Sequence, residues 1–368
     1  MPEMSEISVR KVRKVACASL LCHMGHAGRV SRVRSEDAPA RGVPGWGRGA
    51  AHGAAILRRQ EWGRRAIVRT VEFQRRRPSA EALAWVERAL GGGVRIVACR
   101  RMTGGLTAAV HRLTATSHSG RQVVVLRRYE RAAADEVLRE ARALDGAIAA
   151  GLPAPRLLAV SPGGEDAGGH PAMLMSRLRG HVDLSPPDPG SWLRQIAVAA
   201  ARIHDAPVTA PAFESWLDPA RLSAPASASR PGLWQTVSGV LREKSGARDT
   251  CYIHGDFQHF NFLWTRGRLT GVVDWGYAST GPPGIDVGHC RLNLAVLFGA
   301  DWAERFRLAY QAEAGRGVDP WWDLHALASY GDDWRRFIPI QVDGRAPVDI
   351  AGMTTQVEEV LAATLRRL

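Results

Sequence analysis

The run His254-Gly255-Asp256-Phe257-Gln258-His259-Phe260-Asn261 is followed by Val272-Val273-Asp274-Trp275-Gly276. An amide thus stands five positions after one carboxylate, and a second carboxylate eighteen positions after it. Phosphoryl transfer needs that set of groups. Asp256 would orient an attacking hydroxyl and accept its proton. The Asn261 amide oxygen and the Asp274 carboxylate would hold Mg²⁺, a hard cation that takes oxygen ligands. Asp and Asn are also ordinary turn and cap residues, and an isolated D-x-x-x-x-N carries little information. The full string, with Asp274-Trp275-Gly276 at this distance, selects the chemical reading.

Positioning these groups requires a small scaffold. Leu269-Thr270-Gly271-Val272-Val273 reads as a strand that delivers Asp274, and Arg266-Gly267-Arg268 reads as a hairpin turn back to Phe262-Leu263-Trp264. In these motifs the chain resembles the aminoglycoside phosphotransferase family, which includes choline, homoserine and fructosamine kinase relatives. His254-Gly255-Asp256, Asn261, Asp274-Trp275 and Gly281-Pro282-Pro283-Gly284-Ile285-Asp286 carry the likeness. It implies an α+β, protein-kinase-like two-lobe fold, with a small β-rich N-lobe holding one main helix and a larger, mostly helical C-lobe. It also implies Asp256 as catalytic base, Asn261 and Asp274 as Mg²⁺ ligands, His254 as part of the loop, and Asp286 as a structural acid bracing it. The nucleotide would be ATP, with GTP as the alternative.

The small lobe is sought upstream. Arg101-Met102-Thr103-Gly104-Gly105-Leu106-Thr107 lies between two β-prone runs, 94–97 and 109–113. Gly104, Gly105 and Thr107 would let backbone N–H groups approach phosphate oxygens. The next β-prone run, Gln122 to Leu126, ends in Arg127-Arg128, where a kinase places a lysine. Lys244 is the only lysine after Lys14, so the phosphate-facing cation must be Arg. Strand alternation puts Arg127 on the face of Val125 and Val123 and Arg128 on the other, and arginine can grip phosphate bidentately. Asp135 to Ala149 reads as a helix, with Val137, Leu138, Ala141, Leu144 and Ile148 recurring at helical spacing. The resemblance favours Glu140 on it as the partner acid, with Glu136 on a solvated face. Backbone groups near Met175 and Arg177 would meet the nucleobase.

In the large lobe, Trp192 to His204 has a helical apolar stripe, and His204 reads as a packed or capping histidine. Segments 289–315, 321–337 and 352–367 read as helices. By the resemblance, they and the 205–245 region form an acceptor pocket, with Asp319, Asp323, Asp332 and Asp333 as its acidic candidates. Helix caps and solvated faces are the alternative for each.

Charge divides the chain unevenly. Residues 1–77 carry seventeen Lys and Arg against six Asp and Glu, which is +11 of the net +13. The remainder is nearly neutral, which argues against nucleic acid as its partner. We expect three units: a disordered basic leader at 1–77, a nucleotide-binding N-lobe at 78–178, and a C-lobe at 179–368 with catalytic loop and acceptor pocket. A start near Val68 and a signal peptide over 15–24 are the other readings of the leader. The signal peptide is disfavoured by a short apolar core broken at His23. No run of eighteen apolar residues exists, so no membrane span is expected. Five scattered cysteines without metal or disulfide spacing fit a cytoplasmic setting.

Together these readings point to ATP- and Mg²⁺-dependent phosphorylation of a small-molecule hydroxyl. Only nine residues separate Gly276 from Asp286, too few for a protein-kinase activation segment. A metabolite kinase of homoserine, choline or fructosamine type is the rival within the class. A non-catalytic nucleotide-binding module is the rival outside it.

Overall fold

The computed structural model describes residues 73–102, 108–130, 133–215, 217–243, 245–247, 249–331 and 333–368. The leader as far as residue 72, the turn residues Gly104, Gly105 and Thr107, Lys244 and Asp332 lie outside the described residues.

The N-lobe is one antiparallel sheet with a helix on each face. Its strands are β1 (Arg95–Arg101), β2 (Ala109–Ser117), β3 (Gly120–Arg128), β4 (Leu157–Ser161) and β5 (Ala172–Ser176), in the order β1-β2-β3-β5-β4. Alternation assigns the two faces. Leu113, Val124 and Leu126 turn to one side and bury against Trp85 and Val86 of helix α1 (Ala80–Leu90), whose first turn is capped by Ser79. The opposite face meets helix α2 (Ala134–Ala149). There Val137, Ala141, Leu144 and Ala147 join Met173 and Met175 in the core. Glu140 is buried on that same stripe.

The C-lobe begins after a short exposed link. His181 and Trp264 exchange backbone hydrogen bonds of 3.1 and 2.8 Å, which anchor the link to the hairpin β7 (Phe262–Thr265) and β8 (Arg268–Val272). The hairpin turns at Arg266-Gly267, both at positive φ, as its sequence implies. Strand β6 (Cys251–Ile253) pairs with β9 (Ser279–Gly281). Helices α3 (Pro189–His204), α4 (Pro231–Glu243), α5 (Pro283–Phe298), α6 (Ala300–Ala314), α7 (Pro320–Ala328), α8 (Trp334–Val342) and α9 (Met353–Leu365) complete the lobe. The α+β, two-lobed expectation is met.

Two expectations need correction. Segment 289–315 is not one helix, because Gly299 at φ 103° breaks it into the ends of α5 and α6. Segment 321–337 is likewise split between α7 and α8. The acidic candidates also have structural work. Asp319 caps α7 by accepting from the Trp321 N–H at 2.8 Å. Asp323 is fully buried and paired with Arg291 and Arg367. Arg291 is itself fully buried and also donates to Thr364 at 3.1 Å. Asp333 pairs with Arg336 at 3.7 Å.

The packed body also starts earlier than residue 78. Phe73 is only 5% exposed and packs on the His170 ring at 4.6 Å. The Arg128 guanidinium lies 5.5 Å from the Phe73 ring centroid and donates to the Arg76 carbonyl at 2.6 Å. Arg128 therefore points away from α2, as alternation requires, but as a buried clamp rather than a surface charge. A chain beginning at Thr70 should keep the full melting temperature. One beginning at Pro78 should lose about 1.5–3 kcal/mol from uncovering the Phe73 site. Thermal unfolding of the two chains checks this, and equal midpoints would show that residues 73–77 add nothing.

Candidate active site

The loop that bears Asp256 is held from below by Asp286. This residue is fully buried in the first turn of α5. Its Oδ2 accepts from the His254 backbone N–H at 2.7 Å and its Oδ1 from the Gly255 N–H at 2.8 Å. His204 Nε2 sits 3.2 Å from Oδ2, and the Tyr310 hydroxyl meets His204 Nδ1 at 2.8 Å. Burial opposes the charge on Asp286, but the His204 hydrogen bond, the nearby histidines and the backbone donors outweigh it and keep its pKa below the usual carboxylate range. Sequence pattern identified the helix end at His204 but not its bond to this acid.

Gly255 is required by two constraints at once. Its φ is 79°, and a Cβ there would sit 2.2 Å from the Tyr277 carbonyl oxygen. This close approach of 255 to 277 brings the loop against the Asp274 segment. His254 ties the same two segments from the other side. Its Nδ1 accepts from the Asp256 N–H at 3.2 Å, and its Nε2–H donates to the Val273 carbonyl at 3.1 Å. One donor and one acceptor nitrogen describe a neutral imidazole, and burial of the ring lowers its pKa accordingly.

Asp256 and Asn261 form a compact unit. Asn261 Nδ2 donates to the Asp256 carbonyl at 2.8 Å and to Asp256 Oδ2 at 2.9 Å. Gln258 Nε2 donates to Asp256 Oδ1 at 2.8 Å. The Val273 N–H bonds the Asn261 carbonyl at 2.9 Å, so Asn261 and Asp274 flank one hairpin end. Asp274 has φ 69° and ψ 58°, a left-handed conformation that is uncommon outside Gly, Asn and Asp. Trp275 fixes it from beneath, fully buried, with its indole N–H on the Val272 carbonyl at 2.9 Å.

Arg127 joins the lobes here. It donates to Glu140 Oε1 at 2.6 Å and to Asp274 Oδ1 at 2.8 Å, and the Tyr129 hydroxyl also bonds Glu140. The two carboxylates hold the guanidinium charged despite its burial. For Asp274, burial is outweighed by Arg127, and its pKa falls. Asp256 lacks such a cation, so burial, reinforced by the Asp274 charge, pushes its carboxyl up to about 8.

The site therefore unites Asp256, Asn261, Asp274, Arg127, Glu140, His254 and Asp286. Met175 lies inside the sheet ladder between Val125 and Leu157, whereas Arg177 lies past the strand end. Gln258, Tyr129 and His204 are partners that the motif reading missed, and His289 is a neighbour of Asp256 that it missed. His289 stands three residues after Asp286 on α5, so helical spacing could have placed it beside the loop. The donor set fits a hard divalent cation. Asn261 commits its amide nitrogen to Asp256, leaving the amide oxygen, and Asp274 adds a carboxylate. Among the described residues no cluster of three or more His, Cys, Asp or Glu forms a metal site. Mg²⁺ usually needs only one or two carboxylates, with phosphates and waters completing its shell.

This antiparallel sheet lobe, helical lobe and carboxylate loop define a kinase-like phosphotransferase architecture. A family model described as the phosphotransferase enzyme family matches residues 98–330, and the chain belongs to that family. Among solved structures it resembles a Ralstonia eutropha protein provisionally described as an aminoglycoside phosphotransferase. That match has 19% identity and a TM-score of 0.54, covering 79% of this chain and 99% of that one. It also resembles aminoglycoside phosphotransferase APH(4)-Ia, at 17% identity and a TM-score of 0.51, covering 78% and 99%. No curated protein matches the chain.

The buried titrating groups carry a pH prediction. Burial lowers His111, His289 and His325 to about 4 and His259 to about 3. Unfolded histidines titrate near 6.5. Between that value and about 4 the unfolded chain binds protons that the folded one refuses, so acidification costs stability, by at most about 1.4 kcal/mol per pH unit per proton. Asp256 acts oppositely, since from about 8 down to about 4 the folded state holds the extra proton. Four histidines outweigh one aspartate. The urea midpoint should fall between pH 7 and pH 5, and a rising midpoint would mean the histidines protonate without unfolding.

Proposed function

We propose that the chain transfers the γ-phosphoryl group of ATP to a hydroxyl of a small molecule, with GTP as the alternative donor. The observation carrying this is the convergence of Asp256, Asn261, Asp274 and Arg127 at one junction between the lobes. Asp256 takes the acceptor proton in its ionised form, whose share grows as pH rises toward the carboxyl's pKa of about 8. Asn261 and Asp274 would hold Mg²⁺, which when bound supplies the positive charge that the transferring phosphates require. Arg127 faces the phosphates in place of the missing lysine, steadied by Glu140. Gly104, Gly105 and Thr107 would cover the phosphates, and backbone near Met175 and Arg177 would receive the nucleobase. His254 and Asp286 keep the loop in shape. Of these two residues, Met175 and Arg177, Arg177 suits backbone recognition better, because it lies beyond the strand pairing.

An aminoglycoside acceptor is the first reading, by family. A metabolite kinase with a less cationic acceptor is the second, and one observation favours it. Asp319 and Asp323 are engaged in a helix cap and a buried ion pair, so they offer little charge to a polycation. Purified protein with MgATP, offered aminoglycosides and small amino alcohols side by side, separates the two. In that assay Asp256→Ala should lose about 10²–10⁴-fold in turnover while keeping nucleotide affinity, the usual share of a general base. Near-normal turnover in the folded variant would remove Asp256 from the reaction.

The two arginines give a second test. Arg127→Ala should raise the KM for ATP sharply and leave the buried Glu140 and half-buried Asp274 carboxylates without the cation between them. Arg128→Ala should lower the melting temperature with little change in that KM, because Arg128 clamps Phe73 and Arg76 on the other face. The double variant Arg127→Ala with Glu140→Ala should be non-additive. If the KM effects rank the other way, Arg128 is the phosphate-facing residue.

A further inference from the structure

One polar side chain beside the catalytic loop has no role in the arrangement above. His289 is buried, with its side chain 7% exposed, on the α5 face that carries Asp286. Its Nδ1 is buried without a hydrogen-bond partner. That nitrogen stands 3.6 Å from Asp256 Oδ1, close enough to share a ligand but beyond a hydrogen bond. The ring does not float, since Tyr330 stacks on it at 4.8 Å with 17° between the planes. A buried polar nitrogen with no partner costs roughly 1–3 kcal/mol, so one held rigidly next to a catalytic base calls for a reason.

The geometry supplies one. A hydroxyl oxygen that gives its proton to Asp256 must lie about 2.6–3.2 Å from the carboxylate. With 3.6 Å between Oδ1 and Nδ1, a single oxygen can stand at that distance from both. We propose that His289 is a catalytic residue on the acceptor side, whose Nδ1–H donates to the oxygen of the acceptor hydroxyl and holds it against Asp256. This rests on the phosphotransferase reading above and adds a contact to the acceptor. As the reaction proceeds, the hydroxyl proton passes to Asp256 in its carboxylate form. The acceptor oxygen forms its bond to the γ-phosphorus with a lone pair His289 does not use, and the bridging bond breaks with its electron pair leaving on ADP. Burial keeps His289 neutral near pH 7, so it enters as a donor without adding a charge to the site.

The test uses three variants of the full chain. In His289→Asn the amide nitrogen can reach the Nδ1 position, in His289→Gln it reaches the Nε2 position instead, and His289→Ala has neither. Each is assayed for MgATP affinity by calorimetry and for MgATP turnover with water as acceptor and with the best hydroxyl compound from the acceptor screen. MgATP affinity should be unchanged throughout. Acceptor kcat/KM should fall about tenfold in His289→Ala and His289→Gln, the size of one lost hydrogen bond, and recover substantially in His289→Asn. Equal activity in all three, or equal loss in Asn and Gln variants with intact folding and MgATP binding, overturns the role of His289 and leaves the phosphotransferase reading standing. A wild-type protein that binds no MgATP, or turns it over with no acceptor including water, overturns that reading and the His289 contact with it.

Discussion

A single buried carboxylate sets the shape of the candidate site. Asp286 accepts two backbone N–H groups from the loop that bears Asp256, and both bonds are short and sealed from water. Charge-assisted bonds of this kind are stronger than neutral ones, and leaving either donor without its acceptor would expose a desolvation cost. The acid is in turn held by His204, which is held by Tyr310. The loop is thereby fastened to α3, α5 and α6 together. A left-handed Gly255 and a neutral His254 then translate that fastening into the spacing between Asp256 and the Asp274 segment.

The second constraint runs between lobes. Arg127 leaves the sheet, meets Glu140 on α2 and reaches Asp274 on the C-lobe hairpin. Arginine does this better than lysine would, because its planar fork addresses two carboxylates at once. The same fork makes the position of α2 depend on the Asp274 segment. Neighbouring residues on one strand thus divide the work. Arg127 couples the lobes, while Arg128, one residue on, fastens residues 73–76 to the opposite face of the sheet.

The legible part of this structure was local. The Asp256–Asn261–Asp274 spacing, the hairpin turn at Gly267 and the opposed faces of Arg127 and Arg128 all follow from short-range rules about strands and turns. What could not be read depended on which distant segments meet. Nothing near Asp323 in sequence announces that Arg291 and Arg367 close on it, and its helical context suits a surface acid equally well. The break at Gly299 was hidden because apolar spacing continues across it. No motif points to His289, and only the fold shows its Nδ1 facing Asp256 without a partner.

The C-lobe places charge inside itself more often than its near-neutral composition suggests. Arg291 is fully enclosed, and it meets Asp323, Glu304 and Thr364, which belong to three other helices or their flanks. A well-packed apolar replacement could be as stable, so such a network is weak evidence for stability alone. Its geometric effect is clearer. Arg291 and Asp286 lie on the same helix, α5, so the register of that helix is pinned near its middle by the ion pairs and in its first turn by the loop that bears Asp256. A shift of α5 along its axis would break both sets of bonds at once. The buried charges of the C-lobe therefore act on the candidate site through the helix they hold in place.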